Sequence, residues 1–270
     1  VVKKINQLRV VLTSFAYRSE YFYDLDRMVA SVKEHHPDWH IVVGRGPSPA
    51  FDFPTLEVQS SLGKSHLTPP SLLNLDGSVD DWGKITKMKA WWIDRIWHKF
   101  GHLAGKHFRL LWIDADARVN GPLEIEIDTE TEVIAGAWRS DMRHPGYKRL
   151  ASGFLYLQGS PGGKIESILD QWSAMCIGHA ESFPDPPIGP WCDDDDQEAL
   201  NQLLKVRPCG NGNYILIKLD SDKYCAVADK EGNAPPGALV EQWGMARKMK
   251  WPQDRDFNWQ TEEITNQRAS

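Results

Sequence analysis

The sequence predicts an α/β protein: a doubly wound, mostly parallel central sheet flanked by helices, with a small β-containing extension at its C-terminal end. Three observations carry this. The chain opens strand-helix-strand, from Leu8-Arg-Val-Val-Leu-Thr13 through an amphipathic stretch to Trp39-His-Ile-Val-Val43. The apolar run Leu110-Leu-Trp-Ile113 ends abruptly in Asp114 and Asp116, as a buried strand does when it delivers polar groups to a sheet edge. The last third holds short β-rich runs: Tyr214 to Leu219, Lys223 to Val227 and Ala238 to Gln242.

Each element has its own local reason. The first strand is rich in β-branched residues, and the polar, aromatic stretch Ser14 to Glu20 reads as a loop at its end. Tyr21 to His36 is a helix with Leu25, Met28, Val29 and Val32 on one side, stopped by Pro37. The second strand closes at Gly44 and Gly46. Thr55 to Val58 forms a short third strand, and Ser60 to Asp81, rich in turn residues, reads as an irregular connection over the active face. Ile85, Met88, Trp92, Ile96 and Phe100 make the apolar stripe of a helix. Lys89 falls within that stripe. Either it snorkels its head to water, or it reaches a phosphate.

Beyond the aspartate strand, Phe108 to Ile113, come strands at Val133 to Trp138 and Gly153 to Leu157, separated by a basic loop with Arg143, His144, Lys148 and Arg149. Ile165 to Cys176 is an amphipathic helix. A Pro-rich loop, Phe183 to Trp191, runs into Asp193-Asp-Asp-Asp-Gln197 and a Leu-rich helix to Leu204. The runs Tyr214 to Leu219 and Lys223 to Val227 flank the turn-prone Asp220-Ser-Asp222 and predict a hairpin. Arg247, Lys248 and Lys250 cluster beyond the last strand. With no internal repeat and no linker, residues 1–270 read as a single domain with a β-containing C-terminal extension.

Composition sets the broad class. Of 270 residues, 41% are hydrophobic and 25% charged, ordinary for a globular protein. The net charge of −6 and pI of ≈ 5.9 argue against general nucleic-acid binding. No apolar run is long enough to span a membrane. The beginning does not read as a signal peptide, which makes the cytoplasm the default compartment. Four cysteines without a Cys-x-x-Cys pair exclude the usual zinc spacing and favour free thiols. Twelve tryptophans fit either a large core or aromatic platforms for sugar rings.

Two acidic motifs point to chemistry. If Asp114 and Asp116 continue a strand, residues two apart aim to the same side. Two carboxylates so aimed repel each other unless a cation lies between them, and hard divalent ions take carboxylates together with substrate phosphates. The competing explanation is an exposed Asp-x-Asp turn of no function. The four aspartates 193–196 suit a helix N-terminus, where acidic groups cap free N–H donors. One or two suffice for that, so one of the four is free to face a substrate.

The order of these motifs resembles the glycosyltransferases of the GT-A fold, most closely bacterial and viral members. Arg9-Val-Val-Leu-Thr13 precedes Ser31-Val-Lys-Glu-His-His-Pro-Asp38. A Lys-rich helix leads to Leu111-Trp-Ile-Asp114-Ala-Asp116. Ala151-Ser-Gly-Phe-Leu-Tyr-Leu157 then precedes Asp194-Asp-Asp-Gln197. The resemblance spans about Leu8 to Lys248 and implies a Rossmann-type nucleotide-binding sheet, a nucleotide-binding part over about 1–120 and an acceptor and donor-sugar part over about 121–270, a nucleotide-diphosphate sugar donor with UDP favoured over GDP, and Mn²⁺ or Mg²⁺ as cofactor.

By position, the resemblance implies that Asp116 binds the metal and that Asp114 shares it or contacts the ribose. Thr13, Phe15, Tyr17 and Arg18 would hold the base and ribose, and Lys84 or Lys89 would approach the nucleotide. Arg139, Ser152 and Gly153 would face the donor sugar. Asp195, Asp196 and Gln197 would lie where donor meets acceptor, as the catalytic group. Val240-Glu-Gln-Trp243, Arg247 and Lys248 would close over the diphosphate. Related enzymes often place a histidine metal ligand near the C-terminus. Here no histidine follows His179, and Gln242 takes the position. The expected activity is metal-dependent transfer of a sugar, hexosyl transfer first, to a glycan or other hydroxyl acceptor. The rival readings are a non-catalytic nucleotide-sugar-binding protein and a metal-dependent phosphohydrolase.

Overall fold

The computed structural model describes residues 10–17, 21–47, 55–60, 62–69, 82–104, 108–125, 127, 129–140, 148–177, 196–206, 214–228 and 234–242. In chain order the elements are β1 (Val11–Tyr17), α1 (Phe22–His35), β2 (His40–Gly46), β3 (Leu56–Ser60), β4 (Gly63–Leu67), α2 (Trp82–Ala104), β5 (Phe108–Ile113) and β6 (Ala117–Val119). They continue with β7 (Glu132–Ser140), β8 (Lys148–Gly159), α3 (Lys164–Cys176), α4 (Asp196–Val206), β9 (Tyr214–Asp220), the one-turn α5 (Ser221–Tyr224), β10 (Ala226–Val227) and β11 (Val240–Gln242).

Eight strands form one sheet in the order β4-β3-β2-β1-β5-β8-β7-β9, and a second sheet has the order β10-β11-β6. The α/β class is therefore as expected. Parallel pairing holds where the chain crosses over through helices, at β2-β1-β5, and again at β7-β9. The other neighbours in the large sheet are antiparallel, so the sheet is mixed.

The central strands show why both faces are covered. Along β1, Val11, Phe15 and Tyr17 join one core with α2, α3 and α4, while Leu12 and Ala16 join the other with α1. Along β5, Phe108, Leu110 and Trp112 go to the first core, and Leu111 and Ile113 to the second. This period-two division of a continuous apolar run is that of a strand buried on both sides. Trp92, Trp97, Trp112 and Trp172 are all buried in the first core, so these four tryptophans are structural. Cys176 and Cys225 are free and buried; Cys192 and Cys209 lie outside the described residues.

Three local expectations are corrected. The loop read at Ser14 is strand as far as Tyr17, because β2 pairs with β1 over its whole length. The connection after Ser60 contains β4, which pairs antiparallel with β3. The predicted hairpin at Asp220 does not form. The Asp220 carboxylate instead accepts the backbone N–H of Asp222 at 3.0 Å and starts the one-turn α5, β9 pairs with β7, and β10 joins the small sheet. Helix α3 shows the opposite economy. Its N-cap, Gly163, has no side chain, and Glu132 of β7 supplies the cap, accepting from the backbone of Lys164 and Ile165 at 2.5 and 3.0 Å. Among the described residues, no helix is long and apolar enough to cross a membrane.

His40, at the start of β2, is 5% exposed with its ring 5.6 Å from that of Phe100. Burial holds its pKa below the ordinary 6.5. The folded protein therefore takes up this proton less readily than the unfolded chain. The contribution is intact above the unfolded value and is lost as pH falls through it towards the folded value. Urea unfolding is expected to lose midpoint faster on mild acidification in the natural protein than in His40→Leu. Parallel pH profiles would refute this assignment.

Candidate active site

Strand β5 stops at Ile113, and Asp114-Ala-Asp116 forms a turn closed by Ala117 N–H donating to the Asp114 carbonyl at 3.1 Å. The two aspartates thus sit on the β5–β6 turn, and the strand alternation that predicted a shared direction does not extend to Asp116. It does extend to Asp114. This residue continues the parity of Trp112, whose indole N–H donates to Asp114 Oδ1 at 2.9 Å. The Asp114 backbone N–H donates to the Gly153 carbonyl at 3.0 Å, which ties the turn to β8.

Helix α2 delivers Lys89 to the same place. Its ammonium lies 3.0 Å from Asp114 Oδ1 and 3.3 Å from Asp196 Oδ2, donates to Ser152 Oγ at 3.1 Å, and stands 5.6 Å from the centre of the Trp112 ring. The residue is only 7% exposed. Burial alone would lower its pKa, but Asp114 and then Asp196 outweigh that and push it above the ordinary value, so Lys89 stays charged. It does not snorkel to water; its head is held by two carboxylates.

Strand β8 is shaped for this contact. Its register with β7 slips between Gly136↔Leu155 and Trp138↔Leu150, so Ala151 to Phe154 outnumber the single residue opposite, Ala137. A bulge of this kind leaves backbone groups without ladder partners. Helix α4 supplies partners at Ser152 within the bulge and at Leu150 beside it. Asn201 accepts the Leu150 N–H at 2.9 Å and donates to the Leu150 carbonyl at 2.9 Å. Gln197 Oε1 accepts the Ser152 N–H at 3.2 Å and Arg139 Nη2 at 3.5 Å. At the start of the helix the Asp196 carbonyl accepts the Trp172 indole N–H at 2.7 Å. Asp196 therefore reaches the site because side-chain hydrogen bonds lace α4 to the bulge.

Gly153 lies at the centre. A Cβ there would fall 1.7 Å from Gln242 Nε2 and 3.0 Å from Asp114 Oδ2. Only a residue without a side chain leaves room for the Gln242 amide there. Gln242 is 8% exposed, and its Nε2 has no hydrogen-bond partner. It arrives on β11, opposite Ala117 of β6, so the small sheet brings it beside the aspartate turn. The buried Cys225 thiol lies in the same neighbourhood. Burial pushes its pKa up to about 12, Arg139 and Lys89 pull it down, and Asp114 and Asp116 push it up. A thiol so held is protonated and inert.

The structure thus brings together Lys89, Asp114, Arg139, Ser152, Gly153, Asp196, Gln197 and Gln242, with the half-exposed Asp116 on the adjoining turn. Thr13, Phe15 and Tyr17 all lie on β1, Phe15 and Tyr17 where a loop was expected. The Thr13 hydroxyl donates to the Val42 carbonyl at 3.0 Å and accepts from the Trp92 indole at 2.8 Å, and Phe15 packs on Trp92 and Trp112. Arg18, Asp195, Arg247 and Lys248, and the Lys84 side chain, lie outside the described residues. Sequence reasoning missed Trp112 and Asn201. Both were within reach: Trp112 is two residues before Asp114 on one strand face, and Asn201 is one helical turn after Gln197.

No family model matches the chain, and no curated protein matches it in sequence. Among solved structures, the chain is similar to that of a glycosyltransferase involved in the glycosylation of the major capsid of PBCV-1, with 16% identity over 87% of this chain and 92% of that chain and a TM-score of 0.49.

Proposed function

We propose that the protein is a metal-dependent glycosyltransferase. It takes a sugar from a nucleotide-diphosphate donor, with UDP the favoured nucleotide, and passes it to a glycan or other hydroxyl acceptor. The observation that supports this reading is the cradle at Gly153, where the Gln242 amide, whose Nε2 has no hydrogen-bond partner, packs over the glycine beside Asp114 Oδ2. The donor set fits a hard divalent ion such as Mn²⁺ or Mg²⁺, held by Asp114, Asp116 and Gln242. Turning the Gln242 amide over would replace its nitrogen by a carbonyl oxygen, the atom that such an ion prefers. When bound, the ion offsets the charge that develops on the departing diphosphate.

The protein's own groups divide the remaining work. Trp112 and Lys89 both engage Asp114 Oδ1, which fixes the carboxylate and leaves Oδ2 facing the cradle. Arg139, positioned by Gln197, supplies positive charge for the donor. Asp196 is 3% exposed on its side chain and serves as counterion to Lys89, which makes it a positioning group. A base for the acceptor hydroxyl then falls to its neighbour Asp195, should the transfer invert configuration.

The test is thermal stability in the presence of UDP or GDP, each with and without Mn²⁺, in the natural protein and in Asp116→Ala. The expected result is a rise in Tm that needs nucleotide and metal together and disappears in Asp116→Ala with the circular dichroism unchanged. No rise with any pair would overturn the reading. Since Gln242 stands where related enzymes often have histidine, a weaker third ligand favours one alternative, a nucleotide-sugar-binding protein without turnover. That alternative predicts the same rise in Tm but no nucleotide release with any acceptor.

A further inference from the structure

Helices α2 and α3 face each other with a second set of ligating side chains. On α2, Asp94, His98 and His102 recur every fourth residue; on α3, Glu166 and Asp170 do the same. Residues at this spacing share one helix face. Asp94 is five residues beyond Lys89, roughly 7.5 Å along the axis and well over a quarter-turn around it. The cluster is therefore separate from the Gly153 cradle.

Its geometry is convergent. His98 Nε2 lies 2.9 Å from Asp170 Oδ1 and 3.3 Å from Asp94 Oδ1. The ligand atoms of these three residues all fall within 4.8 Å of one another. A tetrahedral zinc ion with bonds of about 2.0 Å keeps its ligand atoms about 3.3 Å apart, so the cluster needs little movement to receive one. On the other side of the ring, His98 Nδ1 lies 3.8 Å from Glu166 Oε2, which accepts the Trp97 indole N–H at 3.2 Å. A carboxylate behind a histidine is the arrangement that orients metal-ligating imidazoles.

A second observation points to a ligand. Asp94 is only 3% exposed, yet its Oδ1 has no hydrogen-bond donor. Its other oxygen has Arg95 Nε at 4.0 Å. Two carboxylates directed at one imidazole nitrogen favour positive charge at that point, which a proton on His98 or a metal ion in its place supplies.

We propose that Asp94, His98 and Asp170 form a site for a divalent transition-metal ion, for which Zn²⁺ is the probe, with Glu166 orienting His98 from behind. Imidazole and carboxylate together suit zinc and its neighbours better than magnesium or calcium. The site ties α2 to α3 and does not depend on the donor-site reading. His102, exposed one turn further on, forms a more open group with His98 and Glu166; it is not a ligand in this assignment.

The test is calorimetric titration of Zn²⁺ into the metal-stripped full chain. The Asp116→Ala background removes a ligand of the other site. One equivalent is expected to bind in that background and also after His102→Ala. Affinity should fall at least ~10-fold after His98→Ala and after Asp170→Asn. The Asp170 side chain is half exposed, so its substitution leaves the core intact. Co²⁺ should give visible absorption bands that His98→Ala removes. Equal Zn²⁺ affinity in all variants would overturn the site. Loss in His102→Ala with retention in Asp170→Asn would overturn this ligand set.

Discussion

Lys89→Met should cost the fold about 3–5 kcal/mol, the range found when one partner of a buried ion pair is removed. Methionine keeps most of the stem's volume and removes only the charge. Asp114 and Asp196 are then left facing each other, with Asp196 almost without solvent. Urea unfolding measures the loss directly. The second variant separates charge from packing: Lys89→Met with Asp196→Asn should recover a large part of the loss, because it removes the stranded carboxylate. A loss below about 1 kcal/mol in the single variant would place Lys89 among ordinary surface pairs and refute the pairing. The double variant should not regain the joint rise in Tm with nucleotide and Mn²⁺, since Trp112 alone would hold Asp114 Oδ1.

Gly153→Ala should act in the opposite way, harming the site far more than the fold. The new methyl group would overlap the Gln242 amide at 1.7 Å and crowd Asp114 Oδ2 at 3.0 Å. The amide is the end of a flexible side chain and can swing aside, so the stability loss should stay within the ~1–3 kcal/mol of overpacking. The displaced amide can no longer take part in the cradle. The joint rise in Tm with nucleotide and Mn²⁺ should therefore vanish while the unfolding transition remains cooperative. A full metal-dependent rise in Gly153→Ala would remove Gly153 and Gln242 from the site.

The parts legible in the sequence were those fixed by neighbours along the chain. The period of α1 and α3, the apolar β5 and the abrupt change at Asp114 are all local signals, and each element appears where those signals put it. Elements whose fate depends on distant partners were misread. Tyr214 to Leu219 looks like half of a hairpin, yet it lies beside β7 because a strand edge was available there. Ser14 looks like the start of a polar loop, yet the strand runs on to Tyr17 because β2 pairs with it. Lys89 was conspicuous in its apolar stripe, but Asp196, the partner that explains its burial, comes from a helix far along the chain. The bulge in β8 leaves no mark in its sequence beyond Gly153.

The pairing of β6 with β11 fixes when the cradle can exist. The aspartate turn is made well before the amide beside it, which is the last of the described residues to leave the ribosome. A nascent chain can form β1, β2 and β5 and display both carboxylates long before residue 242 emerges. The pocket at Gly153 closes only through a contact of high sequence separation, the slowest kind to form. A chain that stops between β6 and β11 therefore carries Asp114 and Asp116 without Gln242 beside them.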